Sequence, residues 1–301
     1  MATNANDQYQ RVTDAIIALV EGGNLLPWQQ PWKVGQFARS LSTGKAYNGI
    51  NRWYLTSLAQ ASNWIPWFGT YKKIAEMGGQ VHKGEKSNIC VLWNFRKVAD
   101  ANGKESTIPM LKIYNVFSAS QADWPNGLPA KCVDASSEAV GTDSDDYSEA
   151  MEALGSYWQR EAISVTFGGD SACYSPRTDS VKLPDIGSFV GTDHFYATAF
   201  HEAAHSTGHA KRLNRPGIVD FDHFGSHQYS REELVAELGS ALIMGTLGLD
   251  KPNMVENQAS YIASWIRALK DDSKAIVWAA GRAEKAANRI LNIAPVEVEE
   301  S

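Results

Sequence analysis

Hydrophobic residues near the start of the chain repeat with the spacing of an α-helix. The residues that fall on one helical face are Tyr9, Val12, Ile16, Leu19 and Val20. Apolar positions three and four residues apart form one stripe along a helix, and polar residues cover the other side. The pattern therefore predicts an amphipathic helix over Tyr9–Val20.

The next part of the chain combines helical and strand patterns. Asn88–Phe95 and Leu111–Phe117 are runs of apolar and β-branched residues, and Ala101-Asn102-Gly103 lies between them. Such runs around a glycine-containing turn predict an antiparallel strand pair. Helical patterns recur at Arg52–Ala61 and Tyr71–Met77. This part is therefore expected to be an α+β domain.

The second half begins with short strand patterns and continues with helices. Ile163–Phe167, Ala172–Tyr174 and Val181–Leu183 are short strand-like runs, with glycine and proline residues at the turns between them. The run Phe195–Ala204 suits a buried helix, and Asn253–Leu291 predicts two further helices. These patterns predict a second α+β domain. An edge strand of its sheet could bind an extended peptide.

An acidic segment separates the two parts. Residues 129–152 contain seven Asp and Glu against one Lys, with several serines and no apolar periodicity. This composition is typical of a flexible linker. We therefore expect three segments: a domain at 1–128, a linker at 129–152 and a domain at 153–301.

Charge is distributed unevenly over the chain. Its net charge is −6, but residues 1–128 hold 13 Lys and Arg against 8 Asp and Glu, and the remainder carries −11. The basic first part indicates an anionic partner for that part. An apolar run long enough to span a membrane and a secretory signal are both absent from the sequence. Three widely spaced cysteines, Cys90, Cys132 and Cys173, argue against disulfides and favour the cytoplasm.

The segment His201-Glu202-Ala203-Ala204-His205 carries the clearest chemical signal. Residues four apart lie on one helical face, so both imidazoles can reach a single metal ion. Glu202 is placed to act as the catalytic acid and base toward a water molecule at that ion. The alternative is two exposed histidines on an ordinary helix.

A third ligand is expected from the helical segment Ser230–Glu237. Glu233 and Glu237 are one turn apart, an arrangement that resembles the ExxxD pattern of gluzincin peptidases. In that pattern the first carboxylate binds the metal and the second orients a histidine. Glu233 is thus the favoured ligand, and Glu237 is the alternative ligand or the orienting residue. Ser230 and Glu233 also fit a capping box, in which Glu233 would only satisfy the helix terminus.

Two other candidate ligands fit the spacing poorly. Lys211 occupies the place of the third histidine in the metzincin pattern, and a protonated lysine is no ligand. His209 would lie a further helical turn away, about 6 Å along the axis. Two histidines and one glutamate suit zinc, although other divalent transition metals can bind such a set.

Aromatic and basic residues are interleaved in the first part of the chain. Seven of the ten tryptophans fall in residues 1–128, and basic residues accompany them in Lys45–Tyr54, Trp67–Lys73 and Val81–Lys86. Single-stranded nucleic acid needs cations for its phosphates and flat rings for its bases. The composition therefore suggests single-strand binding; alternatively, the tryptophans form a core and Gly84 forms a hairpin turn.

Several motifs together resemble the ArdC-type antirestriction proteins of conjugative plasmids. They are Pro27-Trp28, Pro31-Trp32, Tyr47-Asn48-Gly49-Ile50-Asn51, Trp67, Thr70, Lys83-Gly84-Glu85-Lys86, the HExxH segment and Glu232-Glu233-Leu234-Val235-Ala236-Glu237. The first half is also similar to a segment of plasmid conjugative primases. The resemblance implies an N-terminal domain that binds single-stranded DNA, a C-terminal zincin-like domain and protection of incoming plasmid DNA from restriction.

The resemblance also implies roles for individual residues. The DNA contacts that it implies are Asn48, Asn51, Arg52, Trp67, Lys72, Lys83 and Lys86. His201, His205 and Glu233 become metal ligands, and Glu202 becomes the catalytic acid and base.

Three functions remain open at this point. The first is a DNA-tethered metalloprotease that acts on a protein substrate such as a DNA-bound host protein. The second is a single-strand-binding protein with a structural or vestigial metal domain. The third, a nuclease, fits less well because two-metal phosphoryl chemistry uses clusters of carboxylates.

Overall fold

The computed structural model describes residues 5–22, 37–99, 105–134, 147–219, 227–249 and 258–294, which form a mixed α+β protein. The chain divides into two compact units. The N-terminal unit contains the first helix, Phe37–Ser137 and Leu269–Val277. The C-terminal unit contains Glu138–Ala268 and Trp278–Ser301. Within the described ranges, every helix is too short or too polar to cross a membrane.

The helices are α1 (Ala5–Glu21), α2 (Gly49–Ala61), α3 (Tyr71–Glu76), α4 (Ala130–Asp134), α5 (Ser148–Arg160), α6 (Thr192–Ser206), α7 (Pro216–Val219), α8 (His227–Thr246), α9 (Gln258–Asp271) and α10 (Ala275–Ile290). The strands are β1 (Arg39–Ser40), β2 (Trp67–Gly69), β3 (Gln80–Val81), β4 (Asn88–Ala99), β5 (Glu105–Ser118), β6 (Ala122–Asp123), β7 (Ser164–Phe167), β8 (Cys173–Ser175) and β9 (Ser180–Leu183).

A four-stranded sheet organises the N-terminal unit. Its order is β1-β2-β5-β4, with β1 parallel to β2 and the other neighbours antiparallel. The β4–β5 pair is a long hairpin in which Asn88 lies opposite Val116 and Ala99 opposite Glu105. The predicted strand pair is thus confirmed and longer than expected; its predicted turn, 101–103, lies outside the described residues. A second small sheet pairs β3 with β6.

Helix α1 packs through the stripe that its sequence predicts. Val12 and Ile16 are buried, in agreement with the predicted amphipathic face. The same unit includes Leu269–Val277, and there the hydroxyl of Thr13 donates a 2.8 Å hydrogen bond to the carbonyl of Ser273. The predicted domains are continuous stretches of sequence, so the predicted N-terminal domain does not include this downstream segment.

The C-terminal unit combines a three-stranded sheet with a close helix pair. The sheet order is β7-β9-β8, with β7 parallel and β8 antiparallel to β9, so β8 lies at an edge. Helix α6 packs on α8 through small residues. A Cβ atom placed on Gly239 would lie only 3.2 Å from the Cβ of Ala204, and the Ser240 hydroxyl donates to the Ala197 carbonyl at 2.8 Å. This close approach brings the polar residues at the start of α8 to the histidine helix.

The helices that follow the linker agree with the sequence in position but differ at their ends. Helix α8 begins at His227, so Ser230 lies within its first turn and the predicted capping box is wrong. Both flanks of the predicted linker are helical, in α4 and α5, and residues 135–146 lie outside the described ranges. The boundaries at 1–128, 129–152 and 153–301 stay a prediction.

Candidate metal centre

Helix α6 carries both histidines of the HExxH segment on one side. Their Nε2 atoms are 3.1 Å apart, and the two rings meet edge to face with centroids 4.7 Å apart. Both imidazoles are partly exposed, whereas Glu202 between them is buried. The helical spacing therefore directs two imidazole nitrogens to one point, with the buried Glu202 next to them in the chain.

Glu233 on α8 completes the cluster. Its Oε2 lies 3.5 Å from Nε2 of His201, and its Oε1 lies 3.5 Å from Nε2 of His205. Among the described residues, this is the group of His, Cys, Asp or Glu side chains whose ligand atoms all lie within 4.8 Å of one another. Glu237 is outside this group.

The dimensions of this triangle fit a metal ion. A tetrahedral zinc ion with bonds of about 2.0–2.1 Å holds its ligand atoms about 3.3–3.4 Å apart. The two Nε2 atoms are 3.1 Å apart, and each lies 3.5 Å from a different oxygen of Glu233, so these separations lie on either side of that value. Two imidazoles and one carboxylate also leave a fourth position for water or substrate, as catalytic zinc sites require.

Glu232 and Arg215 form a buried pair behind His205, and neither residue is among the candidate site residues predicted from the sequence. Glu232 Oε1 lies 3.4 Å from His205 Nδ1. Arg215 Nε donates to Glu232 Oε2 at 2.9 Å. Burial acts to raise the pKa of Glu232, but the hydrogen bonds from Arg215 and His205 outweigh it and lower the pKa. The hydrogen bonds from Arg215 and His205 thus favour the charged form of Glu232.

The pKa of His205 shifts in the opposite direction. Burial acts to lower this pKa, but the hydrogen bond to Glu232 and the charges of Glu233, Glu232 and Glu202 together raise it. His205 is thus surrounded by the carboxylates of three glutamates, and such an environment favours the binding of a cation.

A second polar cluster secures the turn that follows α6. Arg212 Nε donates to the Ser206 carbonyl at 2.7 Å, and its Nη1 donates to Asp179 at 3.1 Å. Tyr174 on β8 donates its hydroxyl to the same carboxylate at 2.9 Å. His209 lies 3.8 Å from Asp179 and belongs to this cluster rather than to the histidine pair.

Three of the residues implied as DNA contacts are buried or bonded within the protein itself. Trp67 is buried, with only 3% of its surface exposed. Arg52 Nε donates to the Tyr47 carbonyl at 2.8 Å, and Nη2 donates to Asn48 Oδ1 at 3.4 Å. Asn51 donates to the carbonyl of Val91 and accepts from its N–H, each at 2.7 Å. The Asn51 contacts tie α2 to β4, and the Arg52 contacts hold the turn before α2. Trp28 and Trp32 lie outside the described residues.

The Asn51 contacts lead to a stability prediction. We expect Asn51→Ala to lower the free energy of unfolding by about 2–3 kcal/mol, because both backbone groups of Val91 lose their partner. Urea denaturation of the purified protein measures this. Asn48→Ala is the matched control, since Asn48 is exposed, makes no side-chain cap bond and accepts a long, exposed hydrogen bond from Arg52 at 3.4 Å; it should change stability by under about 0.5 kcal/mol. Equal stability of the two variants would contradict the structural role.

The lysines of the 82–86 turn are exposed, and Gln121 donates hydrogen bonds to the turn. Gln121 Nε2 donates to Glu85 Oε2 at 2.8 Å and to the Lys86 carbonyl at 3.0 Å. Gly84 has a φ of +92°, a conformation that favours glycine, and lies in a turn. The turn is not the hairpin expected at this position, because β3 pairs with β6 and β4 pairs with β5. The side chains of Lys83 and Lys86 are consequently held at the surface.

An exposed aromatic residue lies on the same unit, and the sequence did not single it out. Tyr71 is 53% exposed. Its ring lies edge-on to Phe117 with centroids 6.3 Å apart, and its hydroxyl accepts from Gln80 at 3.2 Å. The neighbouring Lys72 side chain is 88% exposed and lies 3.8 Å from Glu76. Tyr71 has the exposure that a stacking residue needs and that Trp67 lacks.

Two family descriptions match the chain. The N-terminal domain of anti-restriction factor ArdC matches residues 6–117, and a zincin-like metallopeptidase family matches residues 152–282. Together they account for both units and agree with the two patterns found in the sequence.

Individual relatives match almost the full chain. Two proteins named DNA primase TraC from Escherichia coli are 35% and 33% identical over 97% of the chain, which spans 20% and 28% of their lengths. The uncharacterized protein y4eC of Sinorhizobium fredii is 32% identical, with 91% of its length covered.

Crystal structures of the antirestriction ArdC protein from plasmid R388 share 34% identity with the chain. The metal-free structure has a TM-score of 0.68 and the Mn(II)-bound structure one of 0.69. They cover 95% and 96% of the chain, which in turn spans 99% of theirs.

Proposed function

The chain belongs to the ArdC antirestriction family, and from this premise we propose that it binds single-stranded DNA and hydrolyses DNA-bound host proteins at a metal centre. In this proposal the protein acts in the cytoplasm of a cell that receives a plasmid. Its substrate is a protein of the restriction machinery on the incoming DNA.

The convergence of His201, His205 and Glu233 on one point supports the metal centre. The donor set and the distances between ligand atoms suit zinc. The Mn(II)-bound relative supports a divalent transition metal more generally. A bound ion would polarise the substrate carbonyl and make a water molecule more acidic.

Peptide hydrolysis requires a group that moves a proton, and Glu202 is placed for this role. It follows His201 directly on α6 and is buried. Glu202 would accept a proton from the attacking water as the water oxygen bonds to the carbonyl carbon. It would then deliver that proton to the amide nitrogen as the C–N bond breaks. The oxygen of the water becomes part of the new carboxylate, and its proton goes to the new amine.

Strand β8 supports an extended peptide as substrate. It is antiparallel to β9 at the edge of its sheet, and its Tyr174 is anchored to Asp179. An edge strand offers backbone N–H and C=O groups to a further strand, so a peptide could align there by β-augmentation. Because these hydrogen bonds involve only the peptide backbone, they would tolerate many substrate sequences.

The N-terminal unit supplies the residues that we assign to DNA. Lys72, Lys83 and Lys86 would contact phosphates, and Tyr71 would stack on a base. The buried Trp67 has no part in this surface, and Asn51 and Arg52 would act by holding the fold beneath it.

A nuclease has less support from the site. Two-metal phosphoryl transfer uses several carboxylates as shared ligands. Within the described ranges, the cluster contains one carboxylate, that of Glu233. We therefore propose proteolysis rather than cleavage of DNA.

The lysine turn gives the DNA proposal a direct test. We expect Lys83→Glu with Lys86→Glu to weaken binding to a fluorescent single-stranded oligonucleotide by about tenfold or more at low salt. The slope of log affinity against log salt should fall by about 1.4, or about 0.7 for each phosphate contact. Fluorescence anisotropy over a range of salt concentrations measures both.

The control is Lys182→Glu with Lys211→Glu, which changes the charge equally in the C-terminal unit at two exposed lysines. If both double variants lose the same affinity, binding depends on net charge alone and the assigned surface is wrong.

The whole proposal is tested by plasmid transfer. An unmodified plasmid is conjugated into a restricting recipient with and without this gene, and the restriction subunits are followed by immunoblot. Loss of a restriction subunit together with a gain in transfer supports proteolysis. A gain in transfer with intact subunits would instead favour a single-strand-binding protein whose metal domain is structural.

A further inference from the structure

The imidazole of His205 is held at both of its nitrogens by consecutive residues of one helix. Glu233 faces Nε2 at 3.5 Å, and Glu232 faces Nδ1 at 3.4 Å. Neighbouring residues on a helix point about 100° apart, so one helix can reach both edges of a ring that stands beside it. Glu233 is on the metal side and Glu232 is behind the ring.

Glu232 is itself fixed by Arg215. Each of these residues is 2% exposed. Arg215 pairs with both oxygens of Glu232 through Nε and Nη2, and it also donates to the Thr207 hydroxyl at 2.6 Å and to the Ala204 carbonyl at 2.8 Å. The guanidinium thus joins the carboxylate to the carboxyl-terminal end of α6. A carboxylate held at two oxygens has little freedom to turn away from His205.

Gly208 makes room for this arrangement. A Cβ atom on Gly208 would lie 2.9 Å from Nη2 and 3.0 Å from Cζ of Arg215, and 2.5 Å from Ile218. A glycine at this position also belongs to the metzincin pattern considered from the sequence. In this chain it admits the arginine that supports the carboxylate.

We propose that Glu232, held by Arg215, is the positioning residue that fixes the tautomer and ring orientation of His205 and thereby sets the affinity of the centre for its ion. The proposal rests on the metal centre of the proposed function. An Nδ1–H that donates to a carboxylate leaves the Nε2 lone pair free for a metal and makes it more basic. The sequence alone makes Glu237 the alternative ligand or the orienting residue; the geometry assigns the orienting role to Glu232.

The test is a metal titration of Glu232→Gln. Glutamine keeps the size of the side chain but loses its charge, and its amide can present a donor to Nδ1. Competition between the apoprotein and a chromogenic zinc chelator gives the affinity, and the visible spectrum of the Co(II) form gives the ligand geometry. We expect the zinc affinity to fall about 10–100-fold, with a shifted Co(II) spectrum.

Asp179→Asn is the matched control. It removes the carboxylate from another arginine pair in the same unit, that of Asp179 with Arg212, and leaves His205 untouched. If Glu232 only stabilises the fold, both variants should lower the thermal transition and keep wild-type zinc affinity. That result, with unchanged Co(II) spectra, would overturn the proposal.

A double variant tests the proposal if Glu232→Gln alone folds poorly. Adding Arg215→Met removes the cation left unpaired, and replacing both partners of a buried ion pair is often tolerated. The double variant should fold and still bind zinc about 10–100-fold more weakly than wild type. Wild-type affinity in the folded double variant would contradict the positioning role. Failure of wild-type protein to bind zinc or Mn(II) would instead reject the metal centre itself.

Discussion

Replacing Glu202 with glutamine is expected to reduce peptide hydrolysis by at least about a hundredfold, because proton transfer by a positioned side chain contributes about 10²–10⁴. Glutamine has nearly the same shape but does not accept the proton of the attacking water. Metal content and oligonucleotide affinity should be unchanged, since Glu202 is not a member of the ligand triangle. Cleavage of a restriction subunit by purified protein, with and without oligonucleotide, measures the loss.

The control for this prediction is Glu149→Gln, which makes the same chemical change at an exposed position in the first turn of α5. Protection of a transferred plasmid should be lost with Glu202→Gln and kept with Glu149→Gln. If Glu202→Gln protects the plasmid as well as wild type does, proteolysis is not the mechanism and the binding-protein alternative stands.

Replacing Arg215 with methionine is expected to lower the free energy of unfolding of the C-terminal unit by about 3–5 kcal/mol, since one partner of a buried ion pair is then left uncompensated. Methionine fills part of the same volume, so loss of packing contributes little. The charge of Glu232 and the hydroxyl of Thr207 lose their donors. Chemical denaturation followed by circular dichroism measures the change.

The control is Arg177→Met, at an exposed arginine of the same unit, which should alter stability by less than about 0.5 kcal/mol. Saturating zinc should raise the stability of the Arg215 variant less than that of wild type, because a weaker site gains less from the same ion concentration. A loss of under about 1 kcal/mol in the Arg215 variant would show that Glu232 is adequately solvated or neutral.

The local pattern of apolar and polar residues determined most of the helices and strands, and it determined the histidines of the candidate metal centre. Apolar spacing placed α1 and the β4–β5 hairpin, and the four-residue spacing placed His201 and His205 on one face. Helical and strand periods are properties of the backbone itself, so neighbouring residues are sufficient to specify them. The same reasoning put Glu202 beside the histidines.

The choice among acidic residues of α8 needed the tertiary structure. Glu233 and Glu237 are both plausible partners by spacing. The packing of α6 on α8 determines that Glu233 faces Nε2 of His205 and that Glu232 faces its Nδ1. Arg215 is 17 positions from Glu232, and this separation has no periodic signature. Contacts between residues so far apart in sequence depend on which helices and loops pack against each other.

The same distinction explains the N-terminal unit. The sequence determined that tryptophans and lysines are interleaved there, that the 82–86 turn is basic, and that an ArdC-type N-terminal domain is combined with a zincin-like domain. Only the tertiary structure decided that Trp67 is buried, that Tyr71 is exposed, and that Asn51 binds Val91, 40 positions away. Periodicity within an element follows from local geometry, whereas burial and partner choice follow from packing between elements distant in sequence.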